Sequence, residues 1–310
     1  MSPAHVTPAA EPVLRLVGKL RRIPDEVRDF AVSPQEAWAE FRIPPQELRA
    51  VIDAGLPVRD TGDAIRYDRS DLINVSLHLG VGPWAHALRT FLPRALNRAE
   101  QGHTPTLAVS VRAVCPSPDH LEPCRYEVLT QGGLTCHTTP PGTALSAPVA
   151  HFQTRPDLRE LPAAASELAA SVENLDFVWL PEAVREDLDF VRDTGLGDCI
   201  AVSRMLAAEG RRRGLAMRPC YGLLAVVPQS IVHFWVEIDV DGEWMPMDPV
   251  LARALLGWGV VDARRRTATF SFGAVACRLA DAFTPLVAHA GARVRYSLPT
   301  ATLESRRNDG

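Results

Sequence analysis

The chain has 310 residues, 46% of them apolar and 23% charged, with a formal net charge of -4. This allows one large globular domain or two smaller ones with their own cores. It gives no support for a polyanionic nucleic-acid partner, and no apolar run reaches membrane length. Among 33 basic residues only Lys19 is a lysine, a bias that points to a high-GC bacterial genome.

The N-terminal stretch MSPAHVTPAAEPVLRLVGKLRR has no signal-type apolar core, and its charges follow the apolar residues. A cytoplasmic protein is expected, with six free cysteines in place of a disulfide framework. Residues 1–30 are expected to be a poorly ordered leader. From Ser33 to about Asn97 the pattern is helical, in pieces such as SPQEAWAEF and PPQELRAVIDAGL, with proline near the start and glycine near the end. Alternating runs such as LAVSVRAV and RYEVL make 104–153 strands and turns, and the prolines of 138–162 mark a connector. Helix returns over 164–194, with mixed structure over 199–300. The expected organisation is an N-terminal, mainly helical accessory module over 1–100, a catalytic domain over 101–300 and a disordered tail over 301–310. The fold class is α+β.

Residues 233–249, HFWVEIDVDGEWMPMDP, form a hairpin pattern with a histidine at one end and an aspartate near the other. Val232, Phe234, Val236, Ile238 and Val240 share one face, expected to be the core face, and His233, Trp235, Glu237 and Asp239 share the other. A two-residue Asp241-Gly242 turn pairs Val240 with Glu243. Counting outward, Trp235 lies opposite Asp248, and His233 is diagonal to Asp248 on the same face, with roughly 7–8 Å between backbones. Glu237 is about 13 Å along the strand from His233 and so a poorer partner; it is expected to be solvated.

In TGLGDCIAVSRMLAAEGRRRGL, Gly195 and Gly197 break structure, Asp198 suits an N-cap, and a helix runs from Cys199 to Gly214 with arginines in its last turn. A helix N-terminus and an imidazolium both favour a thiolate over a thiol. The N–H groups of a first helical turn also suit an oxyanion formed on attack at a carbonyl.

Gly-Asp-Cys at a helix start, then His-x-Trp-x-Glu on a strand, then Gly-x-Trp-x-x-x-Asp-Pro resembles the transglutaminase-like superfamily over about residues 175–255. The resemblance implies a papain-type triad, with Cys199 as nucleophile, His233 as base and then acid, and Asp248 orienting the imidazole. It implies an antiparallel sheet packed on the nucleophile-bearing helix. Trp179 is the nearest counterpart of a tryptophan that can stabilise the oxyanion in that family, and Trp235 and Trp244 are candidates to line the cleft or to pack beside the hairpin. There is no acidic cluster resembling the calcium sites of animal transglutaminases, so no metal or cofactor is expected.

Cys115, Cys124, Cys136 and His137 lack the paired Cys-x-x-Cys spacing of zinc sites and read as core or loop thiols. Residues 42–77 faintly resemble the helix-turn-helix of MerR-type regulators. Residues 41–80, however, carry five arginines against six acids, which is poor for a phosphate backbone. The expected function is cysteine-dependent acyl transfer through an enzyme thioester, as a biosynthetic acyltransferase or cyclase. The substrate would be a small-molecule or peptidyl acyl group, free or bound to a carrier protein. The alternatives are a cysteine peptidase or amidase, and a non-catalytic binding protein with a vestigial triad.

Overall fold

The computed structural model describes residues 10–62, 64–156, 159–264 and 269–303. Leu16, Val17 and Leu20 recur at helical spacing and are buried on one face of α1 (Ala10–Leu20). The stretch expected to be a disordered leader is thus ordered from residue 10, because its apolar face has a core to enter; residues 1–9 lie outside the described residues. Helix α2 (Pro34–Phe41) starts at a capping box in which Ser33 Oγ accepts from Glu36 N–H and Ser33 N–H donates to Glu36. Helix α3 (Pro45–Asp53) also starts on proline. A short antiparallel ribbon of β1 (Arg59–Asp60) and β2 (Ile65–Arg66) leads to α4 (Arg69–Leu79), capped by Asp68 and closed by Gly80 at φ 73°. Next comes α5 (Gly82–His86), where a Cβ on Gly82 would lie 2.3 Å from the Phe41 carbonyl oxygen, so only glycine fits. A π-helical turn over Ala87–Phe91 runs into α6 (Leu92–Glu100).

Four strands follow: β3 (Thr106–Ala113), β4 (Cys124–Thr130), β5 (Gly133–Thr139) and β6 (Leu145–Gln153). Alternation along β4 buries Cys124, Tyr126 and Val128 and exposes Arg125 and Glu127, as a one-sided antiparallel strand requires. The chain continues through α7 (Ala163–Ala170), β7 (Asp176–Phe177), α8 (Leu188–Thr194), β8 (Leu196–Gly197) and α9 (Cys199–Arg212). It then forms β9 (Met217–Leu224), β10 (Ile231–Val240), β11 (Glu243–Met247), α10 (Pro249–Gly257) and β12 (Ala276–Ala280). Last come β13 (Val287–His289), β14 (Ala292–Arg293), β15 (Tyr296–Ser297) and β16 (Thr300–Leu303).

Among the described residues, three antiparallel four-stranded sheets result. One has the order β11-β10-β9-β12 and another β14-β13-β4-β5; in the third, β3 is flanked by β6 on one edge and by β15 and β16 on the other. The tail expected to fray from 301 therefore stays in a sheet through Leu303, and 304–310 lie outside the described residues. Helix and sheet together make an α+β fold. Among the described residues no helix is long and apolar enough to cross a membrane.

Packing groups the chain into two compact units: residues up to 90 with 173–202, and 91–172 with 203–310. This differs from a single cut near residue 100, because 173–202 return to the first unit. There β7 pairs in parallel with β8, and Asp176 takes ion pairs from Lys19 and Arg22. The interior of that unit also holds a buried Arg28. Its Nε donates to Asp71 Oδ2 at 2.8 Å, and its terminal nitrogens donate to Asp25, to Ile23 O and to Leu20 O. One guanidinium thus ties the end of α1 to α4.

Arg28→Ala takes the donor from the Asp71 carboxyl, which burial already pushes up to about 7, and is expected to cost about 3–5 kcal/mol in urea unfolding, whereas the double change Arg28→Met, Asp71→Leu costs less. A loss below about 1 kcal/mol for the single variant would contradict this role.

Candidate active site

Cys199 opens α9 in the first unit and is 6% exposed. Asp198 is its cap: Oδ1 accepts from Ile200 N–H and Ala201 N–H at 3.0 Å each, and Oδ2 pairs with Arg185 Nε at 2.6 Å. The cap thus occupies two of the N–H groups that the sequence offered to an oxyanion, and does not engage that of Cys199. Burial pushes the Asp198 carboxyl up, against the pull of Arg185 and the two backbone donors.

The parallel pairing of β7 and β8 leads into the start of α9. Asp176 pairs with Leu196 and Phe177 with Gly197, and Val178 N–H donates to Gly197 O at 3.1 Å. The ladder ends there, and Trp179 follows β7 by two residues as Cys199 follows β8. The Asn74 side chain clamps the Trp179 backbone, donating to its carbonyl at 2.9 Å and accepting from its N–H at 2.8 Å. The half-buried Trp179 ring lies 5.1 Å from the Trp84 ring, with the Arg185 guanidinium 5.4 Å from its centre. Arg185 therefore links the tryptophan to the helix cap. Asn74 carried no sequence signal, because its partner is 105 positions away.

In the second unit, the Asp241-Gly242 turn has φ of 55° and 85°, a two-residue loop that pairs Val240 with Glu243 as expected. Strand β11 ends at Met247, so Asp248 does not continue the ladder; it is the N-cap of α10. Its Oδ1 accepts from Val250 N–H at 3.2 Å and Leu251 N–H at 2.9 Å, while Oδ2 lies 2.8 Å from His233 Nε2. Both partners are buried, His233 to 5% exposure and Asp248 to 4%. The carboxylate thus engages the ring through Nε2.

The rest of β10 departs from the alternating expectation. It is an inner strand with both faces buried from His233 through Ile238, so no solvent face remains. Trp235 is 2% exposed, stacks at 6.4 Å and 14° against His233, and does not line a cleft. Its ring packs on Gly222, which pairs with His233 across β9 and β10; a Cβ there would come 2.8 Å from the indole. Glu237 is not solvated: it accepts from Trp235 Nε1 at 3.3 Å and pairs with Arg218 at 2.6 Å. Arg218 in turn lies 4.2 Å over Trp244. These residues buttress the histidine strand.

The other thiols divide into three kinds. Burial, reinforced by Glu237, raises Cys220, and burial pushes Cys277 up to about 12. Cys136 is exposed on β5, and His137 Nε2 lies 3.1 Å from Thr135 Oγ1. Cys115 and Cys124 are not unrelated core or loop thiols: they meet His120 and His289 in a cluster that excludes Cys136 and His137. Burial pushes the Cys124 thiol up, but hydrogen bonding with His289, Cys115 and His120 outweighs it and holds the thiol at about 6. Spacing missed this group because its fourth member comes from a strand far along the chain.

Residues 150–249 match the family model described as Transglutaminase-like superfamily, a stretch that contains Cys199, His233 and Asp248. The match agrees with the resemblance read from the motifs and supports a cysteine-based enzyme. Comparison with curated protein sequences finds no match, and neither does comparison with solved structures.

Asp248→Asn keeps a carbonyl oxygen for the α10 cap, whereas Asp248→Ala removes it; the alanine variant is expected to be less stable by about 1 kcal/mol in urea unfolding. Equal stabilities would show that the cap contributes nothing.

Proposed function

We propose that the transglutaminase-like stretch performs cysteine-dependent acyl transfer through an enzyme thioester. Cys199 Sγ attacks the acyl carbon as its proton passes to His233 Nδ1, and the carbonyl oxygen becomes a tetrahedral oxyanion. The Cys199 N–H and the Trp179 indole N–H are the donors for that oxyanion. Collapse breaks the bond to the leaving thiol or amine, which takes the proton from His233. A second nucleophile then gives its proton to His233, attacks the thioester and releases the Cys199 thiol.

The single observation carrying this reading is the buried 2.8 Å contact between His233 Nε2 and Asp248 Oδ2, which holds the imidazole by one of its nitrogens. The acceptor decides the product: water gives an acid, an amine gives an amide, and a group within the acyl chain gives a ring. We favour a biosynthetic acyltransferase or cyclase of bacterial specialised metabolism. Its acyl donor is a thioester or amide, small or peptidyl, free or carried on a protein. A cytoplasmic setting, without nucleic acid or membrane, accompanies this reading.

Intact-mass analysis after incubation with acyl thioesters and peptide amides is expected to show one added acyl group that is absent in Cys199→Ala. Its rate of formation is expected to fall about 10²–10⁴-fold in His233→Ala and Asp248→Asn. Decay of the adduct with amines faster than with water identifies transfer; the reverse identifies hydrolysis. Iodoacetamide is expected to label Cys199 ahead of the exposed Cys136, and more slowly in His233→Ala. An adduct that persists in Cys199→Ala, or a Cys199 that labels no faster than Cys136, would overturn the proposal.

A further inference from the structure

Four side chains that the proposed acyl transfer does not use converge in the second unit. Cys115 lies just after β3, His120 lies in the connector to β4, Cys124 is the first residue of β4, and His289 is the last of β13. Their ligand atoms all lie within 4.8 Å of one another. His120 Nε2 is 3.2 Å from both Cys115 Sγ and Cys124 Sγ, and His289 Nε2 is 4.0 Å from Cys115 Sγ. Zinc bonds of about 2.3 Å to sulfur and 2.0–2.1 Å to nitrogen set the corners of a tetrahedron roughly 3.3–3.8 Å apart. Closing this cluster on an ion therefore requires movements of about 1 Å or less.

The surroundings fit a fastening. The connector 114–123 contains Pro116, Pro118 and Pro123 and has no regular hydrogen-bonded structure, and its one large aliphatic tip, Leu121, is 91% exposed. Apolar burial does not hold this segment in place, yet Cys115 at its base is buried. The His289 ring is set edge-on against Tyr126 at 4.8 Å, and Tyr126 is itself fixed by donating to Thr143 O. Thr139 pairs with Cys124 across β4 and β5, and its buried hydroxyl is one of the groups that favour a thiolate at Cys124. A Cys124 thiolate would supply that hydroxyl with an acceptor, as the outer shell of a metal site does.

We propose that Cys115, His120, Cys124 and His289 bind one zinc ion in a closed structural site that fastens the β3–β4 connector to β13. Two sulfur and two nitrogen ligands suit tetrahedral zinc, and suit calcium or magnesium poorly. The ion displaces one proton from each thiol to solvent, and each imidazole binds neutral through Nε2. The two thiolates balance the charge of the ion. All four positions are protein ligands, so no place is left for water or substrate; the site stiffens the sheet and takes no part in the acyl chemistry.

The test is zinc content of the full chain by elemental analysis, after incubation with zinc and desalting. About one equivalent is expected in the wild type and in Cys199→Ala, and under about a tenth of that in Cys124→Ser and His289→Ala. Cobalt loading of the wild type avoids reliance on variants that fail to fold. It is expected to give a thiolate-to-cobalt charge-transfer band and the visible bands of a tetrahedral ion, both bleached by one equivalent of zinc. Bound zinc is also expected to protect Cys115 and Cys124 from alkylation until a chelator is added. Wild-type protein that retains no zinc and develops no such cobalt spectrum overturns the proposal, as does full zinc retention in both ligand variants.

Discussion

The carboxylate of Asp248 is the constraint on which the histidine side of the site depends. One oxygen receives the first N–H groups of α10 and the other receives the imidazole of His233. A change of strand register would carry the carboxylate and the helix it caps away from His233 together, so the hairpin, the helix start and the ring orientation are linked. The Asp-Gly turn holds that register at one end. Gly222 holds it at the other, because only a residue without a side chain lets Trp235 pack against the neighbouring strand beside His233.

A comparable economy holds around the cysteine. Asp198 caps α9 with one oxygen and draws Arg185 to the other, and Arg185 lies against Trp179. Helix capping, a partly buried ion pair and the placement of an aromatic ring are therefore one cooperative arrangement. Removing the carboxylate of Asp198 would loosen the helix start and release the half-buried Arg185 together.

The hairpin register was legible before the structure because it depends on nearest neighbours: a turn of known length, a period of two, and a diagonal pair. The dual role of Asp248 was not, since counting residues opposite one another assumes that the strand continues, whereas the Pro249 that follows starts a helix. Burial of Glu237 runs against the alternation, whereas that of Trp235 is the packing alternative beside the hairpin. Alternation marks one buried face, but an inner strand covered on both faces can hide a paired carboxylate as well as an apolar side chain. The Cys115, His120, Cys124 and His289 cluster lay beyond reach for a different reason: His289 joins the other three only when β13 pairs with β4, a contact between segments more than 150 positions apart.

The orientation of His233 is the claim from which the proton-transfer route follows, and nitrogen-resolved NMR of the imidazole tests it most directly. The account predicts, in neutral protein, an Nε2–H tautomer whose proton lies far downfield in its hydrogen bond to Asp248 and moves upfield in Asp248→Asn. An Nδ1–H tautomer, or an Nε2–H resonance that Asp248→Asn does not shift, would contradict it.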